Sequence, residues 1–458
     1  MTEHHDPHRS ALFTDLYELA MLGAYDAEGL AGTAVFELFF RSLPPHRNYV
    51  VAAGLDDVLD FLEHLRFRDA DIDWLAGLGR FDDGFLQSLA ALRFSGDVHA
   101  VPEGTVVFPN EPMVQVVAPL PEAQLLETWI LNQMHVQSLV ATKAARIART
   151  AGQRAVTDFG SRRAHGSDAA IKAARAGYVA GIAGTSNVLA ARRYGIPCLG
   201  TMAHSYIQAH DDELAAFEAF SKTHPGTTLL VDTYDTLQGV ERVIELARRQ
   251  GSRFDVQAIR LDSGPLVELI PRARSLLDDA GLGGVKILAS GGLDEYGIRE
   301  LIDAGVPVDG FGIGTALVVS NDAPHVDLSY KLVEYESRPR MKLSTGKVSL
   351  PGRKQVFRRS AGGRLAGDTL ATAGEDLPGQ PLLEQVMRNG KRTAAGRWTL
   401  EDARLRCARE LDALPSALHA LTRVAAEEAY PVAISPGLDD CRRRLLADLK
   451  DRGYDPTN

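Results

Sequence analysis

Arg260-Leu-Asp262-Ser-Gly places a cation and a carboxylate two residues apart, on one face of any strand that carries them. Asp262 in that setting can hold sugar hydroxyls or a metal ion, and Arg260 a phosphate or pyrophosphate. The plainer alternative is an ion pair at a strand end. Ser290-Gly291-Gly292 and Gly312-Ile-Gly314-Thr315 are short glycine clusters whose backbone amides can approach a phosphate. His204, between Ala203 and Ser205, is either a satisfied structural histidine or a nucleophile or acid/base group. Asp158-Phe159-Gly-Ser-Arg162-Arg and Gly184-Thr-Ser186 end two further apolar runs in polar residues. Each of these serves equally well as turn or cap chemistry when taken alone. Their recurrence at nearly every strand end points to an enzyme acting on a phosphorylated substrate.

Seven apolar segments of strand character must position them: 155–159, 178–182, 197–201, 228–232, 256–261, 285–289 and 308–312. Most are followed by helical stretches, such as 237–249, 266–277 and 295–304. That alternation predicts βαβ units and a parallel sheet, and the number of units predicts an α/β barrel, irregular or incomplete. Strand ends of such a barrel converge on one mouth, and late loops there commonly hold phosphate. Before this section the pattern is α+β. Thr14 and Asp15 are cap types ahead of a helix carrying Leu16, Leu19, Ala20 and Leu22. Residues 33–40 read as a strand, Leu55, Val58, Leu59, Leu62 and Leu65 as an amphipathic helix, 96–119 as short strands, and 123–148 as one long helix. The expected division is an α+β N-terminal domain over 1–138, the barrel over 139–332 and a C-terminal extension over 333–458.

Composition narrows the class. The 458 residues carry 45% hydrophobic and 24% charged side chains, with 50 basic and 60 acidic groups and a net charge of −10. That balance fits a globular protein and argues against nucleic acid or an anionic membrane as a general partner. Cys198, Cys407 and Cys441 are too few and too scattered for a disulfide framework or a zinc ribbon. The first dozen residues are polar, read as loose, and lack the pattern of a secretory signal; a cytoplasmic enzyme is expected. Between Ser337 and Ser360 there are eight basic residues and no acidic one: Arg338, Arg340, Lys342, Lys347, Arg353, Lys354, Arg358 and Arg359. A β-hairpin turning at Ser344-Thr-Gly-Lys347 is expected there, either a solvated face or a polyphosphate-binding flap. Residues 360–380 read as a long loop and the remainder as mainly helical.

With these motifs in order, the sequence resembles nicotinate phosphoribosyltransferases. The likeness rests on Thr14-Asp-Leu-Tyr17-Glu-Leu, Phe159-Gly-Ser-Arg-Arg, Ala183-Gly-Thr-Ser-Asn, Gly200-Thr-Met-Ala-His-Ser, Asp232-Thr-Tyr-Asp-Thr, Arg260-Leu-Asp-Ser-Gly and the stretch 342–353. It implies a type II phosphoribosyltransferase fold and the synthesis of nicotinate mononucleotide and pyrophosphate from nicotinate and phosphoribosyl pyrophosphate, a step of NAD biosynthesis or salvage. It implies an ATP-dependent ligase, with Mg²⁺ used and a transient phosphohistidine at His204. Tyr17 and Phe159 would sandwich the pyridine ring, Arg162 would pair with its carboxylate, and Ser186 would favour the acid over the amide. Ser186 as an ordinary helix N-cap is the alternative for that residue. Arg260 and Asp262 would serve the donor, while Ser290, Gly291, Gly292, Gly312, Gly314 and Thr315 would bind its phosphates. The resemblance further implies a homodimer in which Tyr17 enters the partner's site. Another pyridine phosphoribosyltransferase, using nicotinamide or quinolinate, and a non-catalytic phosphate-sugar-binding regulator are the competing readings.

Overall fold

The computed structural model describes residues 10–344 and 349–454. Most of the polar N-terminal stretch and residues 345–347 of the turn expected of the basic hairpin therefore lie outside the described residues. Among those described, no helix is long and apolar enough to cross a membrane.

Residues 140–324 form one compact unit. Its sheet has six parallel strands: Ala155–Asp158, Gly184–Thr185, Thr228–Leu230, Ala258–Leu261, Lys286–Ala289 and Gly310–Ile313. Numbered along the chain, they lie side by side in the order second, first, sixth, fifth, fourth, third. The second and third strands are the two edges, so the sheet curls without closing and the expected incomplete barrel is what forms. Val156, Leu230, Ile259, Ile287 and Phe311 are buried in it, each burial contributing about 1.5–3 kcal/mol. Cross-strand pairing sets Asp158 level with Thr185 and Ile313, and Ala289 level with Leu261 and Phe311. The strand ends thus finish at one height, and the loops that follow share one rim.

Two of the seven expected strands are absent. Residues 178–182 continue the helix Ser167–Val179 and then turn, ending at Gly181 with φ +109°. The Ala-rich run before them propagates a helix, and the strand that follows shrinks to Gly184–Thr185. Residues 197–201 make only a single bridge, Cys198 to Thr185. Pro197 has no N–H to donate, and both Cys198 and Leu199 are exposed, so little burial favours a strand there. The other segments, and the helices Thr236–Gln250, Leu266–Asp279 and Glu295–Asp303, stand where the periodicity places them. Asn187, Asp235 and Asp294 cap helices by accepting backbone N–H bonds. The expected single helix over 123–148 is two, Leu120–Leu125 and Glu127–Ala151. On the second, Lys143 and Arg146 both pair with the fully buried Glu295, at 2.6 and 2.8 Å.

The segments before Val140 and after Pro324 together make the other unit. Thr33–Phe40 is a strand, as read, and lies inside a seven-stranded antiparallel sheet between Val114–Pro119 and Leu328–Tyr335. Helix Leu55–His64 buries Leu55, Val58, Leu59 and Leu62 as its pattern requires. Asp15 sits at the N-cap of helix Leu16–Glu28, but its side chain makes no cap bond and instead accepts the Thr128 hydroxyl at 2.7 Å. The C-terminal part departs further from expectation. Residues 360–380 are not a loop, because Arg364–Thr372 is a strand paired antiparallel with Lys354–Ala361. Those two strands turn into each other at Gly362 and Gly363, both at positive φ, a second hairpin that the sequence reading did not anticipate; the turn of the expected one lies outside the described residues. The polyphosphate-flap reading also fails for two of its residues. Lys354 pairs with Glu37 at 2.8 Å, and Arg358 with Asp368 and Glu410 at 2.6 Å each, and both cations are buried.

Candidate active site

The level strand ends of the barrel unit surround a pocket of about 680 Å³. Phe159, Arg162, Ser186, His204, Arg260, Asp262, Ser290, Gly291, Gly292, Gly312, Gly314 and Thr315 all line it. These are the residues singled out in the sequence, with one exception. Tyr17 belongs to the other unit, is 48% exposed on its helix, and is not among the lining residues.

Phe159 follows the first barrel strand and its N–H bonds the Ile313 carbonyl at 2.7 Å. Its ring lies against Gly312. A Cβ on Gly312 would stand 2.4 Å from a ring carbon, so only glycine leaves room for the aromatic platform. The Arg260 guanidinium is 5.6 Å from the ring centroid, within cation–π range. Arg162 and Arg163 follow in a short 3₁₀ turn, both solvent-facing and both lining the pocket.

Arg260 points from the fourth strand. Nη1 donates to Thr201 Oγ1 at 2.6 Å and Nη2 lies 3.6 Å from Asp262 Oδ1. Burial lowers its pKa, while Asp262 and Asp232 pull it back up. Asp262 Oδ1 accepts the Ser290 hydroxyl at 2.5 Å, and its backbone N–H bonds Asp232 Oδ2 at 3.0 Å. The same Asp232 oxygen accepts the Ser263 hydroxyl, while Asp232 Oδ1 is buried without a hydrogen-bond partner among the described residues. Gly291 takes φ +91°, and a Cβ there would meet the Asp262 carbonyl at 1.6 Å, so this turn admits glycine alone. The rim-ion-pair alternative is thus too narrow: Arg260 and Asp262 sit in a network that ties three strand ends together.

His204 starts the short helix His204–Gln208. Its Nδ1 is 3.1 Å from the Thr233 hydroxyl, and its Nε2 is 3.9 Å from Asp262 Oδ2. With Nδ1 engaged, Nε2 faces the carboxylate side of the pocket. Ser186 lines the pocket but is not the helix cap; Asn187 is, accepting the Ala190 N–H at 3.0 Å. Thr201, Thr233, Asp232 and Arg163 were not singled out. All four lie within the motif stretches read from the sequence, and Arg163 directly follows Arg162.

A parallel half-barrel whose strand-end pocket joins an aromatic ring, arginines, a carboxylate and glycine turns has side chains of the kinds that suit a flat ring and anionic groups. The nicotinate phosphoribosyltransferase N-terminal domain family matches residues 12–135, and the nicotinate phosphoribosyltransferase family matches 154–344. The Mycobacterium tuberculosis nicotinate phosphoribosyltransferase pncB2 is 59% identical over 428 residues, 93% of this chain and 92% of that protein. The Bacillus subtilis nicotinate phosphoribosyltransferase is 42% identical over 383 residues, covering 81% of this chain and 78% of its own. Human nicotinic acid phosphoribosyltransferase superposes with a TM-score of 0.85 at 29% identity, over 94% of this chain and 99% of its own. This chain belongs to the nicotinate phosphoribosyltransferase family.

Proposed function

We propose that the protein joins nicotinate to the ribose of phosphoribosyl pyrophosphate, releasing pyrophosphate, with ATP hydrolysis coupled through His204. The pocket carries this reading, because it sets Phe159, Arg162 and Ser186 beside Arg260, Asp262 and the Ser290–Gly292 turn in one space. The nicotinate ring stacks on Phe159 and its carboxylate pairs with Arg162. Asp262 holds ribose hydroxyls while Arg260 and the glycine turns at 291–292 and 314–315 hold phosphate oxygens. The pyridine nitrogen then forms the bond to C1 of the ribose as the bond from C1 to pyrophosphate oxygen breaks, the leaving group keeping that electron pair.

His204 Nε2 is the nitrogen open to attack the γ-phosphorus of ATP, giving ADP and a phosphohistidine that water later hydrolyses to phosphate. Thr233 fixes the ring for that role. Among the described residues, no three His, Cys, Asp or Glu side chains are grouped to hold a metal alone. The unpartnered Asp232 Oδ1 and the neighbouring Asp262 still suit Mg²⁺, which commonly takes one or two carboxylates and completes its shell with phosphate oxygens. When bound, Mg²⁺ supplies charge neutralisation to the departing pyrophosphate.

A homodimer belongs to the same reading. Phe13, Leu16 and Tyr17 are exposed on one unit, and Val188, Leu189 and Leu199 on the other. A second copy would bury both sets and bring Tyr17 to its partner's pocket.

The test measures pyrophosphate release with nicotinate, nicotinamide and quinolinate, and acid-labile labelling from γ-phosphate-labelled ATP. Nicotinate alone should support rapid release. His204→Ala should abolish labelling and leave weak, ATP-independent turnover; labelling that persists in the variant removes His204 from the role.

A further inference from the structure

Asp158 closes the first barrel strand and is 1% exposed. It touches two parts of the pocket wall at once. Oδ1 accepts the Gly160 N–H at 2.7 Å, fixing the turn that carries Phe159. Oδ2 accepts the Thr185 hydroxyl at 2.7 Å, fixing the neighbouring strand end. Its backbone carbonyl accepts the Ser186 N–H at 2.8 Å. The Thr185 oxygen in turn accepts the Asn187 N–H at 3.1 Å, so the tie reaches the cap of the following helix. The turn has no slack to absorb a loss. A Cβ on Gly160 would lie 2.3 Å from Val318 Cγ1, and the Phe159 ring is already pressed on Gly312.

We propose that Asp158 is a positioning residue for base selection: its one carboxylate sets the spacing between the Phe159 platform and the Ser186 wall, and so decides which flat acid fits between them. This rests on the reading of Phe159 and Ser186 as the base pocket and adds the group that spaces them. Asp158 lines no part of the pocket itself. The partners of its carboxylate are a backbone N–H and a hydroxyl, both neutral. Burial pushes its carboxyl up, against the pull of those two hydrogen bonds. A buried carboxylate kept without a cation, away from the reacting groups, is an expensive choice for simple filling. Its return is a geometry held from two sides, and it acts on the base half of the pocket, whereas the donor half is organised by Asp232 and Asp262.

The experiment compares wild type, Asp158→Asn, Thr185→Val and the double variant by initial rates, varying nicotinate and phosphoribosyl pyrophosphate separately. Asn keeps the volume and one acceptor oxygen but cannot accept from Gly160 and Thr185 together. Val keeps the shape of Thr185 and removes its donor. Each single variant should raise the nicotinate KM roughly tenfold, with kcat and the donor KM within about twofold of wild type. The double variant should be no worse than about twice either single one, because both cut the same tie. If Asp158→Asn fails to accumulate as soluble protein, Thr185→Val decides alone. Unchanged nicotinate KM in the folded variants, or a parallel rise in both KM values, overturns the proposal. A wild type that releases no pyrophosphate with nicotinate overturns the reading beneath it instead, so the two failures are distinct.

Discussion

Gly312→Ala adds one methyl group beneath the Phe159 ring. The added carbon would begin 2.4 Å from ring carbon Cε2, 2.5 Å from Cδ2 and 3.2 Å from Ser290 Cβ. Ordinary contact starts near 3.4 Å, so the ring must retreat by about 1 Å, the difference between 3.4 and 2.4 Å. A ring can tilt, so the fold should survive. What is lost is the platform: aromatic stacking on the base is worth about 0.5–1.5 kcal/mol. That loss predicts a nicotinate KM raised roughly 2- to 12-fold, one decade per 1.4 kcal/mol. The donor KM should move by less than about threefold. Gly284→Ala, in the same unit but away from the pocket, is the control, because its Cβ would meet nothing within 4 Å among the described residues. Initial-rate kinetics on the two variants, with circular dichroism to confirm folding, decide the matter. A folded Gly312→Ala with wild-type nicotinate KM refutes the stacking role of Phe159.

Ser186→Asp should abolish nicotinate turnover by setting a carboxylate against the substrate's own. Because Asn187 already caps the helix, its melting temperature should stay within a few degrees of wild type, which a thermal scan reads. Asp262→Asn should weaken donor use by about 1–3 kcal/mol, the scale of a lost charged hydrogen bond, while nicotinate KM changes less; a donor titration tests it. His99, half-buried beside Arg353, has its pKa lowered to about 4, by desolvation first and then by that guanidinium. The unfolded chain therefore takes up a proton near pH 6.5 that the native one refuses until about pH 4, and stability falls as pH drops through that window. His99→Gln should flatten the fall, measured by urea midpoints between pH 4 and 7.

The barrel was legible because its strands are short apolar runs with punctuating glycines, a signal that survives without knowledge of neighbours. Segments 197–201 and 178–182 carried the same signal and misled, since only tertiary burial separates a strand from a helix end or an exposed bridge. In the C-terminal part the failure has a different source. Arg364–Thr372 hides its strand character behind Gly367 and Asp368, yet Asp368 is fully buried against Arg358 and the Tyr430 hydroxyl. A buried charge breaks the alternation that marks a strand, and its partner is visible only once the chain is folded. Within the site, the residue types at strand ends could be named, but the bonds among them could not. Thr201 reaches Arg260 across 59 positions and Asp158 reaches Thr185 across 27.

The unit assembled from both ends of the chain sets an order on synthesis. Strand 33–40 pairs on one side with 114–119, but on the other with 328–335, Phe40 lying opposite Leu328. As the chain leaves the ribosome, residues 140–324 are complete while that earlier sheet still has an open edge. The strand must wait, its backbone N–H and C=O groups unsatisfied on one side, for a partner 288 residues downstream. Closing so long a loop costs little more entropy than closing one half its length, but the delay exposes an apolar strand to other nascent copies. Chaperone dependence and aggregation during overexpression should therefore track the first segment and not the barrel, and separating the two ends on different fragments leaves that edge unmet in each.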